Sequence, residues 1–276
     1  MKHDPRITPW RDGIAAVSLE GVIEAEVYLD PKAMSCTAAA ASIRSGPDAN
    51  SEQMDQLLFG ERFEVLEEEG AWLFGQAARD GYVGFVEASA LGPAGPLPTH
   101  RVCAIRTYAF AEPTIKSRAS GPYSINSLVT VEALDGKLAK VAGAGWMAAA
   151  HLAAIGTSDD DWAAVAERFL GAPYLWGGRE SLGLDCSGLV QQALFACGRA
   201  CPRDTDQQQD LGAAIDAADF GRGDLVFWKG HVAIGLGEGR IIHANAHHMA
   251  VAAEPLSEAV ARISAAGSEV TAYRRL

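Results

Sequence analysis

A chain of 276 residues, 49% of them hydrophobic and 21% charged, can build more than one hydrophobic core, because a single core rarely grows beyond about 250 residues. The formal net charge of -12, from 35 acidic and 23 basic residues, repels phosphate backbones and anionic lipid headgroups. These values argue against nucleic acid and membrane surfaces as partners, and they favour a globular multidomain protein that accepts a ligand carrying an amine.

The N-terminal sequence and the cysteines indicate a cellular compartment. The stretch MKHDPRITPWRDGIAAVSLEG carries scattered charges and lacks an apolar run and a small-residue cleavage site, so we predict no signal peptide. No window approaches the roughly 20 apolar residues that a membrane helix requires. Five cysteines are an odd number without framework spacing, which favours a free thiol over disulfides. We therefore expect a cytoplasmic protein.

The N-terminal half of the chain shows the pattern of short strands. Residues 1–34 have no clear periodicity and predict an irregular arm. In residues 35–93 the segments SIR, RFEVLEEEG, AWLFGQA and YVGFVEA alternate with turn sequences, a spacing typical of a small barrel or sandwich. Residues 98–156 repeat the theme with VCAIRTYAF, SLVTVEAL and LAKVAGAGWMAA, and LGPAGPLPT between the two runs is typical of a short linker.

The first of these two runs resembles a bacterial SH3-like domain. The resemblance is carried by SIRSGP, LFGERFEVLEEEGAWLFGQA and DGYVGFV, in the order in which that family places its R-x-G-P turn, its G-x-x-V-x-V-L-x-x-x-G-W segment and its G-F-V strand. The second run is similar but more divergent. The resemblance implies two small SH3-like β-barrel domains in tandem.

The pattern becomes helical after residue 156. DDDWAAVAERFLG places acidic caps before apolar residues at helical spacing and ends in a glycine, which predicts that a mixed α/β domain covers residues 157–276. Further on, Cys186 immediately precedes SGLVQQALFACG, whose apolar spacing predicts a helix that ends at Gly198, so Cys186 is expected at or near a helix N-terminus. At a helix N-terminus the dipole and free amides favour a thiolate and can hold an oxyanion, although a lone cysteine is more often inert packing.

Two histidines in GDLVFWKGHVAIGLGEGRIIHANA can supply the base that such a cysteine needs. If residues 237–239 form a three-residue loop, residue 233 pairs with residue 243, and His231 and His243 emerge on one face. A two-residue loop would place them on opposite faces. On the predicted face, Ala233 and Gly235 are small and would leave room for a substrate.

Six motifs in this region resemble NlpC-type endopeptidases, a papain-like family of bacterial cell-wall hydrolases. PYLWGG, LDCSGLVQ, PRDTDQQ, GDLVFW, GHVAIGLG and IIHAN occur in the family's order over residues 162–276. The resemblance implies an α+β protein in which two SH3-like β-barrels precede a papain-like α/β catalytic domain. It also implies that Cys186 is the nucleophile, His231 its general base and His243 the residue that orients that base, while Tyr174 helps the oxyanion site.

The resemblance further implies a substrate. The family cleaves the bond between γ-D-glutamate and an L-diamino acid, meso-diaminopimelate or L-lysine, in peptidoglycan stem peptides. Members with an SH3-like domain and no export signal are similar to recycling enzymes that require a free N-terminal L-alanine, whose ammonium needs a carboxylate. The matching substrate-binding positions are Asp185, Ser187, Trp176, Asp204, Thr205, Glu61 and Tyr82. Glu61 is equally compatible with an ordinary solvated strand residue.

Several alternatives stay open at the level of the sequence. The same core can serve an amidase or acyltransferase, and the chain can be a peptidoglycan-binding protein without catalysis. Cys186, His231 and His243 are also zinc-ligand types, although the helix-capping cysteine favours a nucleophile, and no cofactor or metal is expected. The expected partner is a muropeptide or murein peptide. The preferred diamino acid and the oligomeric state are not determined, and a monomer is compatible with the sequence.

Overall fold

A computed structural model describes residues 3–276 and divides the chain into two compact units, one ending at Ile155 and the other spanning Gly156–Leu276. Within the described residues the first unit contains eighteen strands and no α-helix, and the second contains eight strands and four α-helices. None of those helices has the length and apolar character needed to cross a membrane.

The strands of the first unit are β1 (Trp10–Arg11), β2 (Ile14–Ala16), β3 (Val27–Leu29), β4 (Lys32–Cys36), β5 (Ala40–Arg44), β6 (Gln53–Leu58), β7 (Arg62–Glu69), β8 (Trp72–Ala77), β9 (Val83–Glu87), β10 (Leu91–Pro93), β11 (His100–Val102), β12 (Arg106–Phe110), β13 (Ala119–Ser124), β14 (Leu128–Val129), β15 (Val131–Asp135), β16 (Leu138–Val141), β17 (Gly145–Ala148) and β18 (Leu152–Ala154). Short 3-10 helices cover Val17–Leu19, Ala88–Ala90 and Ala149–His151.

The N-terminal arm is more ordered than the sequence pattern predicts. The prediction of irregular structure is wrong, because β1, β2 and β3 form a three-stranded sheet in which β2 and β3 run parallel. Ala16 of this sheet packs in a buried cluster with Phe74 and Phe85, and the Arg11 guanidinium lies 4.7 Å from the centroid of the Phe85 ring. Strands of two or three residues are too short to show alternation, which explains the error.

The predicted strands of residues 35–93 are confirmed as β5, β7, β8 and β9. They belong to an antiparallel sheet of seven strands in the order β10-β4-β7-β8-β9-β5-β6. Ile43, Leu57 and Phe63 are fully buried in the core of this sheet. Alternate burial along the strands is the pattern that made them recognisable in the sequence.

The second β run forms two antiparallel sheets, with strand orders β14-β11-β18 and β13-β12-β17-β16-β15. Its core includes Phe59 from the first run, whose ring meets the Tyr123 ring edge-on with centroids 5.0 Å apart. Next to it, Gly60 has a φ of +77°, and a Cβ there would lie 1.9 Å from the carbonyl oxygen of Leu128. Only glycine permits this approach, so the two β runs share a packed boundary in addition to their linker.

The second unit contains α1 (Trp162–Glu167), β19 (Arg179–Glu180), β20 (Gly183–Leu184), α2 (Cys186–Ala196), α3 (Thr205–Gln208), β21 (Ala213–Ala214), β22 (Asp224–Trp228), β23 (His231–Gly237), β24 (Arg240–Asn245), β25 (Ala250–Pro255), α4 (Leu256–Ala265) and β26 (Val270–Arg275), with a 3-10 helix at Ala217–Asp219.

A six-stranded antiparallel sheet organises this unit, with the order β21-β26-β22-β23-β24-β25. The predicted helix after Cys186 is confirmed as α2, in which every residue is buried, and α2 contacts β23 and β24. The helix α4 is amphipathic, and its Ala259 packs in a cluster with Trp228 and Ala233 of the sheet. The two predicted histidines therefore lie on β23 and β24, in a sheet that packs against α2 and α4.

Candidate active site

The predicted nucleophile lies at the first position of α2. Asp185 is the N-cap of this helix, and its carboxylate accepts a hydrogen bond from the Gly188 N–H at 2.8 Å. The Cys186 side chain is 7% exposed, and the backbone N–H groups of Val232 and Ser187 are directed at its sulfur. Because Val232 directly follows His231, the sulfur lies beside the beginning of β23.

The environment of this sulfur differs from the expected one. Burial raises the pKa of the Cys186 thiol to about 12, the negative charge of Asp185 adds to this effect, and the two backbone N–H groups oppose it. The sequence predicts a thiolate favoured by the helix N-terminus, but desolvation of the enclosed sulfur outweighs the effect of the two backbone N–H groups. At neutral pH the cysteine is therefore a protonated thiol.

The two histidines meet on one face of the sheet, as predicted, although the turn between them differs from the prediction. Strand β23 pairs with β24 through Ile234 and Ile242, and continuing this register places residue 233 opposite residue 243. The turn is a two-residue loop of Glu238 and Gly239, both with positive φ, and a bulge between Gly235 and Gly237 restores the register. The bulge explains how a short loop keeps both imidazoles on the same side.

A chain of hydrogen bonds extends from this histidine pair. The Nε2 atom of His231 lies 2.8 Å from the Nδ1 atom of His243, and the Nε2 atom of His243 lies 2.7 Å from Oε1 of Glu254. Arg262 donates to both oxygens of Glu254, at 2.6 Å to Oε1 and 2.7 Å to Oε2. Glu254 and Arg262 were not predicted from the sequence, although Glu254 is the one charged residue in the otherwise apolar VAAEPL segment.

Burial keeps both imidazoles neutral. It lowers the pKa of His231 to about 3, with a further contribution from His243, and it lowers the pKa of His243 to about 4 although Glu254 acts in the opposite direction. Arg262 is the main cause that holds the pKa of Glu254 at about 2. At neutral pH the group thus contains two neutral imidazoles and an ionised carboxylate, and a neutral imidazole can accept a proton from a thiol.

The small residues of the histidine face do not provide the substrate space that the sequence predicts. Ala233 is buried beneath α4, and a Cβ on Gly235 would lie 2.1 Å from the carbonyl oxygen of Gly221. These residues permit close packing instead. The open space is a cleft of about 240 Å³ beside the two histidines, bordered among others by Tyr174, Lys229, Asn245 and His247.

Asp185 is held by a buried ion pair. Arg203, which is 1% exposed, donates to Oδ1 of Asp185 at 3.0 Å and to Oδ2 at 2.5 Å, and it also donates to the Ser187 hydroxyl oxygen at 2.6 Å. The Gly177 N–H and the Ser187 hydroxyl donate to the same carboxylate. Arg203 was missed at the sequence level although it stands in the PRDT motif. Its charge compensates the carboxylate that was predicted to meet a substrate ammonium.

The remaining predicted residues of the second unit occupy different environments. Tyr174 is half-buried, and burial together with the nearby Cys186 and Asp185 raises the pKa of its phenol to about 12, so the hydroxyl is a neutral donor. Trp176 is 58% exposed. Asp204 is half-buried and forms a capping box with Gln207 at the start of α3, which places Thr205 at the first helical position.

The two predicted residues of the first unit are buried within it. Glu61 is 1% exposed, and its carboxylate accepts from the Leu58 N–H at 2.9 Å and from Arg79 at 2.8 Å. Tyr82 belongs to the hydrophobic core cluster of that unit. The alternative that Glu61 is a solvated strand residue is therefore wrong, and the contribution of either side chain to substrate binding stays a prediction.

One group of possible metal ligands occurs among residues 3–276. The ligand atoms of His243, His248 and Glu254 lie within 4.8 Å of one another, and the group includes neither Cys186 nor His231. Both oxygens of Glu254 already accept from the Arg262 guanidinium, whose positive charge opposes a cation at this place. The residues present therefore fit a hydrogen-bond chain better than a metal centre.

A cysteine at a helix N-terminus, beside a sheet that carries a histidine pair, is the arrangement of papain-like peptidases. Residues 171–265 match the model of the NlpC/P60 family, and residues 43–91 match that of the bacterial dipeptidyl-peptidase SH3 domain. The chain belongs to the NlpC/P60 family of peptidoglycan endopeptidases and is a cysteine peptidase with an SH3 domain. The predictions of the family and of an enzyme are confirmed.

Individual relatives cover different shares of the chain. Gamma-D-glutamyl-L-lysine dipeptidyl-peptidase of Bacillus subtilis (strain 168) is 32% identical over 216 residues, which are 68% of this chain and 71% of that protein. The protein of the same name from Bacillus cereus (strain ATCC 10987) is 36% identical over 106 residues, only 32% of its length. An NlpC/P60 family protein from Bacillus cereus of known structure shares the fold, with a TM-score of 0.77, 21% identity and coverage of 88% of this chain and 99% of that chain.

The ion pair at Asp185 yields a stability prediction. Arg203→Met leaves the buried carboxylate without its cation, and we expect the free energy of unfolding to fall by about 3–5 kcal/mol in urea titrations at pH 7. Arg199→Met, at an exposed position, is the matched control and should change stability by no more than about 0.5 kcal/mol. Equal effects of the two substitutions would contradict the assignment of Arg203 as the counter-ion.

The neutral histidines yield a prediction on pH. An unfolded chain binds protons at these side chains below about pH 6.5, whereas the folded protein does so only near pH 4 and pH 3, so stability should decrease as the pH falls from 6.5 to 4. His231→Gln removes one of these groups and should reduce the slope by up to about 1.4 kcal/mol per pH unit in urea unfolding. His247→Gln, an exposed position, is the control, and an unchanged slope in His231→Gln would disprove the account.

Proposed function

We propose that this protein hydrolyses the bond between γ-D-glutamate and an L-diamino acid, meso-diaminopimelate or L-lysine, in muropeptides with a free N-terminal L-alanine. The observation that supports this most is the contact of the Val232 N–H with the Cys186 sulfur, which brings the nucleophile beside His231 at the head of the histidine chain. The printed name of the Bacillus subtilis relative, a γ-D-glutamyl-L-lysine dipeptidyl-peptidase, supports the choice of bond.

In the proposed reaction the Cys186 sulfur attacks the γ-carbonyl carbon of the D-glutamyl residue. His231 accepts the thiol proton as the carbon–sulfur bond forms, because both groups are neutral before attack. The same imidazole then donates this proton to the leaving amine of the diamino acid, and the carbon–nitrogen bond breaks. Water, deprotonated by His231, then attacks the thioester carbonyl carbon. The carbon–sulfur bond breaks, His231 returns the proton to the Cys186 sulfur, and the L-alanyl-γ-D-glutamate product is released.

Two kinds of donor can stabilise the oxyanion in this reaction. The first turn of α2 presents backbone N–H groups beside Cys186, where the positive end of the helix dipole also lies. Tyr174, which interacts electrostatically with Cys186, has a pKa raised to about 12, so its hydroxyl stays protonated at neutral pH and well above it. We propose that its phenol donates the second hydrogen bond.

The substrate ammonium requires a carboxylate, and two candidates lie in the second unit. Arg203 and three other donors already engage Asp185, so its capacity for a further donor is small. Asp204 is less buried and stands at the start of α3. We propose that Asp204 is the main ammonium ligand, that Thr205 and Ser187 line the same pocket, and that Trp176 provides its apolar wall.

We also propose domain limits and a cellular compartment for this protein. We assign residues 35–93 and 98–156 to two SH3-like barrels, the second one divergent, and residues 157–276 to the catalytic domain of an α+β protein. The packing of β11–β18 as two antiparallel sheets around one core supports the second barrel. Among the described residues the five cysteines form no disulfide, and this supports our proposal of a reducing cytoplasm and a role in cell-wall recycling.

Removing the nucleophile tests the mechanism. Cys186→Ala should fold with an unchanged melting temperature but release L-Ala-γ-D-Glu from L-Ala-γ-D-Glu-diaminopimelate at least about 10³-fold more slowly, as measured by mass spectrometry. Cys197→Ala, at the cysteine that caps the opposite, C-terminal end of the same helix, is the control and should retain full activity. Undiminished turnover by Cys186→Ala would refute the assignment.

Blocking the substrate amine tests the specificity. N-acetylation of the L-alanine should reduce kcat/KM by about tenfold or more, because each factor of ten corresponds to about 1.4 kcal/mol and a charge-assisted hydrogen bond supplies at least that. Asp204→Asn should reduce the preference for the free amine, whereas Asp210→Asn, at an exposed position beyond α3, should preserve it. Equal hydrolysis of blocked and free peptides would remove the ammonium site from the proposal.

A further inference from the structure

We propose that Glu254 is a positioning residue that fixes the tautomers of both imidazoles, so that His231 presents its unprotonated Nδ1 as the atom that accepts a proton. This inference rests on the proposed function, in which His231 is the base for Cys186. It extends the catalytic group by a residue that touches neither substrate nor nucleophile.

Glu254 is the ionised end of the hydrogen-bond chain. Glu254 is buried, and Arg262 donates to each of its two oxygens, so the carboxylate is charged and can only accept hydrogen bonds. His243 Nε2 lies 2.7 Å from Oε1 of this carboxylate. That nitrogen must therefore carry the proton that is donated to Glu254.

The proton position then propagates along the chain. His243 is neutral at working pH, so with a proton on Nε2 its Nδ1 has a lone pair. The Nε2 atom of His231, 2.8 Å away, has to donate to this lone pair and must itself be protonated. His231 is neutral as well, which leaves Nδ1 as its only atom able to accept a proton. The Glu254 carboxylate thus determines which nitrogen of His231 is basic, although His243 lies between the two side chains.

Arg262 and Glu254 are brought together by a local unit of the fold. Glu254 is near the end of β25, α4 follows directly, and Arg262 lies in the last turn of that helix. The same helix packs through Ala259 against the sheet beneath the histidines. The carboxylate is therefore fixed in orientation by a bidentate pair and in depth by the packing of α4.

Replacing the carboxylate by an amide discriminates between a tautomer-fixing role and a structural one. Glu254→Gln keeps the shape but has only one oxygen, which cannot accept from both Arg262 nitrogens and from His243 at once. An amide N–H directed at His243 favours a lone pair on Nε2 and a proton on Nδ1, which reverses the order along the chain and places the proton of His231 on Nδ1. A wrong tautomer of the base costs on the order of 10²–10⁴-fold in kcat, by analogy with the serine-protease triad.

The kinetic test compares three variants with L-Ala-γ-D-Glu-diaminopimelate as substrate. Glu254→Gln should reduce kcat by about 10² or more and leave KM within about threefold, because the carboxylate does not contact substrate. Glu258→Gln removes a charge near Arg262 from the exposed surface of α4 and should leave kcat unchanged. Arg262→Lys should retain most of the activity, because Glu254 still accepts from His243. If Glu254→Gln retains kcat within about threefold, the inference is wrong.

A spectroscopic test keeps the inference separate from the proposed function. In wild-type protein labelled with ¹⁵N-histidine, a two-bond ¹⁵N–¹H correlation spectrum at pH 7 should show protonated Nε2 and unprotonated Nδ1 for both His231 and His243, assigned with His231→Gln and His243→Gln. Protonation of Nδ1 in either ring would overturn the inference whatever the activity. If the expected tautomers are seen but no muropeptide is cleaved, the proposed function fails and the tautomer assignment stands. Should Glu254→Gln not fold, the wild-type spectrum alone decides.

Discussion

The carboxylate of Asp185 is the constraint on which the catalytic unit depends. It caps α2 by accepting a hydrogen bond from the Gly188 N–H, and it also accepts from the Gly177 N–H and the Ser187 hydroxyl. Arg203 forms a bidentate ion pair with it. A buried carboxylate without such donors would be strongly destabilising, so these bonds fix the start of the helix in position. Cys186, the next residue, is thereby held beside the beginning of β23.

Desolvation determines the charge states of the catalytic side chains. The thiol and both imidazoles are buried, and burial disfavours the charged form of each, so the resting site separates no charge between cysteine and histidine. The permanent charges lie at the two ends, as the Asp185–Arg203 pair and the Glu254–Arg262 pair. Proton transfer during attack then creates charge only where amides and the phenol of Tyr174 can stabilise it. The low polarity that makes the resting thiol unreactive also strengthens those interactions in the transition state.

The first unit holds its two predicted substrate-binding residues in structural contacts of its own. Its SH3 domain is built from alternating strands and a well-formed core, and the two residues that the resemblance assigns to substrate binding, Glu61 and Tyr82, are held inside that unit. Glu61 pairs with Arg79, which in turn donates to the carbonyl oxygen of Asn126 in the second β run at 3.0 Å. The carboxylate thus helps to join the two β runs, and any direct role toward substrate would be additional to this structural one.

Much of the fold could be predicted from the sequence because local patterns encode it. The capping Asp185 and the apolar spacing after it specify α2, the alternation in RFEVLEEEG specifies β7, and the motif order identifies the family. The arm formed by β1 to β3 escaped prediction because its strands are too short for periodicity. The bulge in β23 could not be predicted in this way, because loop length determines the strand register only where no bulge intervenes.

What the sequence by itself determined is the chemical inventory: a cysteine at a helix start, two histidines on a hairpin, and the SH3 and NlpC/P60 motifs that name the class of enzyme. Only the tertiary structure decided the charge and protonation states of these side chains. Whether a thiol is charged, which nitrogen of an imidazole is basic, and whether Asp185 is compensated depend on burial and on partners such as Arg203, Glu254 and Arg262. The effect of these partners is set by distance in space, and no local sequence pattern records it.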